Sequence, residues 1–180
     1  MAVTDDIYMK RALQLADAAA AEGEVPVGAV VVRKSDGRIV GEGRNRREKS
    51  RSPLAHAELE AIQNAAGYLG GWRLSGCDMY VTLEPCPMCT GGIINSRIDR
   101  VIYGAYDKKA GSLGSVTDLS RLPYNHRPGI TGGYMENECA QVLKIFFKKM
   151  RNERMEGKEL QTLRTAYGTS ISRKYSLPGR

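Results

Sequence analysis

Two short words, far apart in the chain, constrain this sequence more than anything else in it: His56-Ala57-Glu58 and Pro85-Cys86-Pro87-Met88-Cys89. A histidine and two cysteines are ligands that a zinc ion draws to bonding distance, so the fold must bring both words to one point. Three protein ligands leave the fourth tetrahedral position open, the mark of a catalytic zinc. A structural site needs a fourth protein ligand, and the spare candidates are His126, Cys77 and Cys139. The default for Cys77 and Cys139 is a free, buried thiol.

The spacing within each word predicts where it sits. Cys86 and Cys89 are three apart, close to one face of a helical turn, and Pro87 suits the first helical position. Both sulfurs then lie at the positive end of a helix, which favours thiolates and metal binding. His56 and Glu58 are two apart, and on a regular helix they point about 200° apart. Both face the metal only if His56 stands at a helix start.

Charge accounting assigns the roles. Two thiolates and a neutral imidazole offset the charge of zinc, so the metal needs a nearby base to take a proton from its water. Glu58 is that base and later returns the proton to the substrate nitrogen. Attack of water on an amidine-like carbon, followed by loss of ammonia, is the deamination performed by zinc deaminases of this signature.

The rest of the chain is ordinary for a globular protein. Its 180 residues suffice for one domain with its own core, and 27 basic against 20 acidic residues give +7, a balance that suits a polyanionic partner. Met1 to Asp6 lacks the basic and apolar stretches of a signal peptide, and no run approaches the length of a membrane span, so a cytoplasmic location is expected. Thr4 or Asp5 caps a helix running to about Glu22. Val27 to Arg33 and Arg38 to Gly43 read as a hairpin turning at Ser35-Asp36-Gly37. Arg44 to Ser52 is a basic loop. A helix over about Ala55 to Ala66, a strand over Met79 to Leu83 and a helix over about Pro87 to Asn95 follow. Next come a strand over Arg100 to Ala105, a strand near Ile130 to Met135 and a helix from about Asn137 into the Arg151 region. A hairpin followed by alternating helices and strands predicts a three-layer α/β/α architecture. Gln161 to Arg180 has four basic residues and no acidic one, and reads as disordered.

Several stretches together resemble the bacterial tRNA-specific adenosine deaminases of the cytidine-deaminase-like superfamily. They are Asn45, Ala55-His56-Ala57-Glu58, Tyr80 through Cys89, Ser96-Arg97-Ile98, Tyr103 through Asp107, Ala110-Gly111-Ser112, Asn125-His126 and Phe146-Phe147. The zinc words belong to the whole superfamily, and the segments after Arg100 narrow the resemblance to the tRNA enzymes. It spans roughly residues 5 to 152. The expected organisation is therefore a deaminase domain over 1–152 and a basic, partly disordered C-terminal extension over 153–180.

The resemblance implies a five-stranded mixed sheet flanked by helices, one Zn2+ per subunit and a homodimer whose partner helps to build the active site. It implies conversion of the wobble adenosine to inosine in a tRNA anticodon stem-loop. Glu58 is then catalytic, and His56, Cys86 and Cys89 hold the metal. By matching positions, Asn45 hydrogen-bonds the flipped purine, Val27 and Leu83 line its pocket, Asp107 contacts a flanking sugar-phosphate, and Asn125 lies in a substrate-side segment. Basic clusters over Arg44–Arg51 and Lys148–Arg151 suit phosphate contact. His126 reads as structural and Trp72 as core. The nearest rival is a zinc deaminase of a free nucleobase or nucleoside (cytosine, cytidine or guanine), which keeps the site and needs no basic surface.

Overall fold

The structure is a computed structural model that describes residues 3–174; positions 175–180 of the expected extension lie outside the described residues. The β-branched run of β1 (Gly28–Arg33) pairs antiparallel with β2 (Arg38–Arg44), as the hairpin pattern predicts. Gly37 turns the chain with φ +66°, and the Asp36 carboxylate accepts the Arg38 N–H at 3.2 Å. On its other edge β1 runs antiparallel to β3 (Cys77–Leu83), and β4 (Arg100–Ala105) and β5 (Gly129–Thr131) continue in parallel. The result is a five-stranded mixed sheet in the order β2-β1-β3-β4-β5. β5 is shorter than expected, because the chain leaves the sheet through Gly133 and Met135, both with positive φ.

Strand alternation gives each face its own core. Ala29, Val31, Met79, Val81 and Val101 pack on the face that carries α3 (Ala57–Leu69) and α4 (Pro87–Ser96). Val30, Val32, Tyr80 and Ile102 pack on the other, against α1 (Val3–Ala21) and the start of α5 (Glu136–Lys174). Both faces are covered, which makes the three layers. Cys77 lies in the first core and Cys139 in the second, so the sheet separates them and each is a free thiol. Burial pushes the Cys139 thiol up to about 12.

Close approach of α3 to β2 depends on missing side chains. A Cβ on Gly43 would run into the Ala57 carbonyl and stand 2.5 Å from the Ala61 nitrogen. Gly43→Ala is therefore expected to cost about 1–3 kcal/mol in urea unfolding. Its zinc affinity should also fall, since the displaced Ala57 adjoins His56. Unchanged stability and zinc affinity would contradict this packing.

Two further features depart from expectation. A short helix, α2 (Arg47–Ser50), interrupts the basic loop. Trp72 is not core: it is 53% exposed, with the Arg73 guanidinium 4.1 Å from its ring centroid. In the C-terminal extension α5 runs as far as Lys174. Arg, Glu, Lys, Met, Leu and Gln predominate from Lys148 to Leu163 and favour helix, and no proline occurs between Lys148 and Leu177. By internal contacts the chain forms two units, Met1–Leu143 and Lys144–Arg180. In that second unit Lys149 and Glu153 form an i,i+4 ion pair at 3.8 Å. Among the described residues no helix is long and apolar enough to cross a membrane.

Candidate active site

One end of the sheet collects the site. β1 begins there at Gly28, while β2, β3 and β4 end there at Arg44, Leu83 and Ala105. Helices α3 and α4 start from the segments beside it. His56 is the N-cap of α3, with extended φ −86° and ψ 149°. Cys86 is the N-cap of α4, with φ −73° and ψ 173°, and Pro87 opens the helix. Two helix N-termini thus converge, as the spacing within the two words requires.

The donor atoms of His56, Cys86 and Cys89 lie within 4.8 Å of one another. His56 Nδ1 stands 3.7 Å from Cys86 Sγ and 3.4 Å from Cys89 Sγ. Zinc bonds of roughly 2.3 Å to sulfur and 2.0 Å to nitrogen, at a tetrahedral angle, separate the two atoms by about 3.6 Å. The measured distances bracket that value, and both the geometry and the donor chemistry fit zinc. Cys86 is held down to about 4, first by its hydrogen bond with Cys89 and then by His56, while Cys89 is raised in turn. The close contact of these donor atoms therefore favours the thiolate at Cys86, the form that binds metal.

Glu58 is one residue into α3 and 4% exposed. Burial pushes its carboxyl up to about 7, and Cys86 adds to that rise while His56 opposes it. Cys89 opposes the rise as well, so the carboxyl stands beside the ligands without being one of them.

The substrate-side residues form a row along the same sheet end. Extending the Ala29↔Val81 register by two brings Val27 opposite Leu83. The Asn45 backbone N–H donates to the Val27 carbonyl at 3.0 Å, and its side-chain amide donates to the Val25 carbonyl at 3.2 Å. Among the described residues the amide oxygen has no hydrogen-bond partner. Asp107 follows β4 by two residues, and its Oδ1 accepts the N–H groups of Lys109 at 2.9 Å and Ala110 at 3.3 Å. Asn125 is not brought to this row. It is exposed in the loop entering β5, beside His126, whose Nε2–H donates to the Ile98 carbonyl at 2.6 Å. That loop is at the opposite end of the parallel strands from Cys86.

Tertiary contacts engage much of the basic loop. Arg44 pairs with Glu22 at 2.6 Å, Lys49 with the same carboxylate at 3.3 Å, and Arg46 with Glu60 at 3.4 Å. Arg47 and Arg51 are exposed and have no acidic partner among the described residues, and Arg47 is near enough to His56 to oppose its charging. A residue that spacing did not single out is Glu84, a fully buried acid at the end of β3. Its one signal was a charged residue inside an otherwise apolar strand end.

Residues 2–105 match the cytidine and deoxycytidylate deaminase zinc-binding region. The tRNA-specific adenosine deaminase of Bacillus subtilis (strain 168) is 42% identical over 151 residues, covering 83% of this chain and 92% of that protein. The enzyme of the same name from Haemophilus influenzae is 45% identical over 158 residues, with coverages of 87% and 90%. A solved structure of a tRNA:A34 deaminase, studied for A-to-I editing at the wobble position of transfer RNA, superposes with a TM-score of 0.72. It is 42% identical and the match covers 77% of this chain and 99% of that one. With that family match over more than half of its length, and relatives above 40% identical over most of both chains, the chain belongs to the zinc-binding cytidine and deoxycytidylate deaminase family, in the company of the tRNA-specific adenosine deaminases.

Proposed function

We propose that this protein deaminates the wobble adenosine of a tRNA anticodon loop to inosine. The observation that carries the reading is the sheet end itself: metal donors and a buried non-ligand carboxylate beside a row of Val27, Leu83, Asn45 and Asp107. The likeness to tRNA-specific adenosine deaminases over most of both chains supports the choice of substrate.

His56, Cys86 and Cys89 hold the zinc, which when bound supplies Lewis acidity that makes water nucleophilic at neutral pH. Val27 and Leu83 form the apolar walls that take the flipped base out of water, and Asn45 hydrogen-bonds the purine. Glu58 accepts the proton that the attacking water loses as the bond to C6 forms. It then delivers that proton to the amino nitrogen, the C6–N bond breaks, and ammonia leaves. Asp107 contacts the flanking nucleotide. An anticodon loop offers an unpaired base, so little energy is spent on extruding it. The protein acts in the cytoplasm as a homodimer, and the exposed loop carrying Asn125 is the part that a second copy brings to the site.

Arg47 and Arg51 meet phosphate in this reading. Replacing either with Ala should weaken stem-loop binding and lower the slope of log Kd against log salt by about 1. Unchanged slopes in both variants would remove them from the RNA surface. The substrate itself is tested by offering the zinc-loaded protein an anticodon stem-loop, free cytidine and free guanine side by side and measuring ammonia release. Release from the stem-loop alone is expected. Release from a free base or nucleoside alone would replace this reading with the small-molecule one.

A further inference from the structure

Glu84 is the buried acid that the zinc chemistry leaves unused. It stands two residues before Cys86 and is 2% exposed. A carboxylate persists out of water only where donors replace the lost solvent. Here every donor comes from one stretch of chain. The Asp107 N–H donates to Oε2 at 3.1 Å, and the N–H groups of Leu113 and Ser115 donate to Oε1 at 3.1 and 3.0 Å. The Ser115 hydroxyl donates to Oε2 as well. Gly111 crosses the carboxylate so closely that a Cβ there would collide with it. One residue along, the Ser112 N–H donates to the Pro85 carbonyl at 2.9 Å. The segment that carries Cys86 into the metal site thus also clasps the 107–115 loop.

We infer that Glu84 is a positioning residue that sets the 107–115 loop, and Asp107 with it, in the conformation that receives the nucleotide flanking the target base. The inference rests on the proposed RNA substrate and on Asp107 as a nucleotide contact. Asp107 engages Oδ1 within its own turn, so the direction of its other oxygen follows from how that turn is held. Glu84 holds the first N–H of the turn and, eight residues later, its far end at Ser115. Without the clasp, ordering of the loop is deferred to the moment of binding, and the loss falls on affinity and not on the chemical step.

Glu84→Gln is nearly isosteric and keeps one acceptor oxygen, but it turns an amide toward donors that need an acceptor. Deamination kinetics on the anticodon stem-loop, zinc content and amide hydrogen exchange are measured on the full-length zinc protein. Exchange is expected to quicken at Asp107, Leu113 or Ser115, with zinc content unchanged. KM should rise about tenfold or more with kcat nearly unchanged. Ser115→Ala, which removes one donor from an exposed residue, should shift KM in the same direction by a smaller factor. Asp107→Ala combined with Glu84→Gln should be no worse than Asp107→Ala alone, since the two act through one contact. An unchanged KM, an effect that adds to that of Asp107→Ala, or a loss confined to zinc content and kcat would overturn the inference. Failure of the substrate reading looks different, because the wild-type protein itself would then make no inosine.

Discussion

Glu58→Gln protein is expected to bind zinc and fold as wild type does, yet turn over its stem-loop substrate about 10²–10⁴-fold more slowly. Glutamine matches the shape of the buried side chain but can neither take a proton from water nor deliver one to a leaving amine. The metal donors, His56, Cys86 and Cys89, are untouched by the change. The prediction separates two roles that lie only two residues apart in the chain. Single-turnover rates with parallel zinc analysis check it. A variant that keeps its rate within a few-fold would strip Glu58 of the proton-carrying role. One that loses zinc would make it part of the metal's support.

Cys89→Ala is expected to do the opposite, losing zinc and stability together. Cys89 is wholly buried in the first turn of α4, and its sulfur is 3.4 Å from the His56 ring at the start of α3. A bound ion would therefore tie two helix ends that otherwise meet through packing and the weak contacts of the His56 ring with the two sulfurs. A ligand held at about a thousandfold above its dissociation constant stabilises the folded state by about 4 kcal/mol. For a chain of this size each kcal/mol corresponds to roughly 2–4 °C in melting temperature, so a fall on the order of 10 °C is expected. Cys77→Ala is the control. It removes a thiol of comparable burial from the core between sheet and helices, and it should keep its zinc. Stoichiometric zinc in Cys89→Ala would contradict the ligand assignment.

The parts of this account that were legible in the sequence depend on local constraint. The β-branched run of Val30 to Val32 and the Asp36-Gly37 turn are readable as a hairpin because both signals lie within a few residues of what they determine. His56 at a helix start followed from geometry alone, since a spacing of two cannot otherwise aim both His56 and Glu58 at one ion. Cys86 as a helix cap followed from Pro87.

What escaped the sequence depends on partners distant along the chain. Helix α2 is four residues long and stands on the buried Glu24, whose carboxylate accepts the N–H groups of Glu48 at 3.2 Å and Lys49 at 2.7 Å. Nothing within α2 reports that support. The basic loop reads as five free charges until Glu22 and Glu60 are brought beside it. Trp72 reads as core because large aromatics usually are, and here arginine stacking covers part of its ring in place of burial. Glu84 was visible as an anomaly, but the loop that satisfies it begins more than twenty residues later.

The most direct test is deamination of an adenosine-wobble anticodon stem-loop in water enriched in heavy oxygen, with the product mapped nucleotide by nucleotide by mass spectrometry. Inosine carrying one solvent oxygen is expected at the wobble position, and at most a trace of it with Glu58→Gln over the same interval. An unmodified wobble adenosine after incubation with the zinc-loaded wild-type protein would contradict the proposed function.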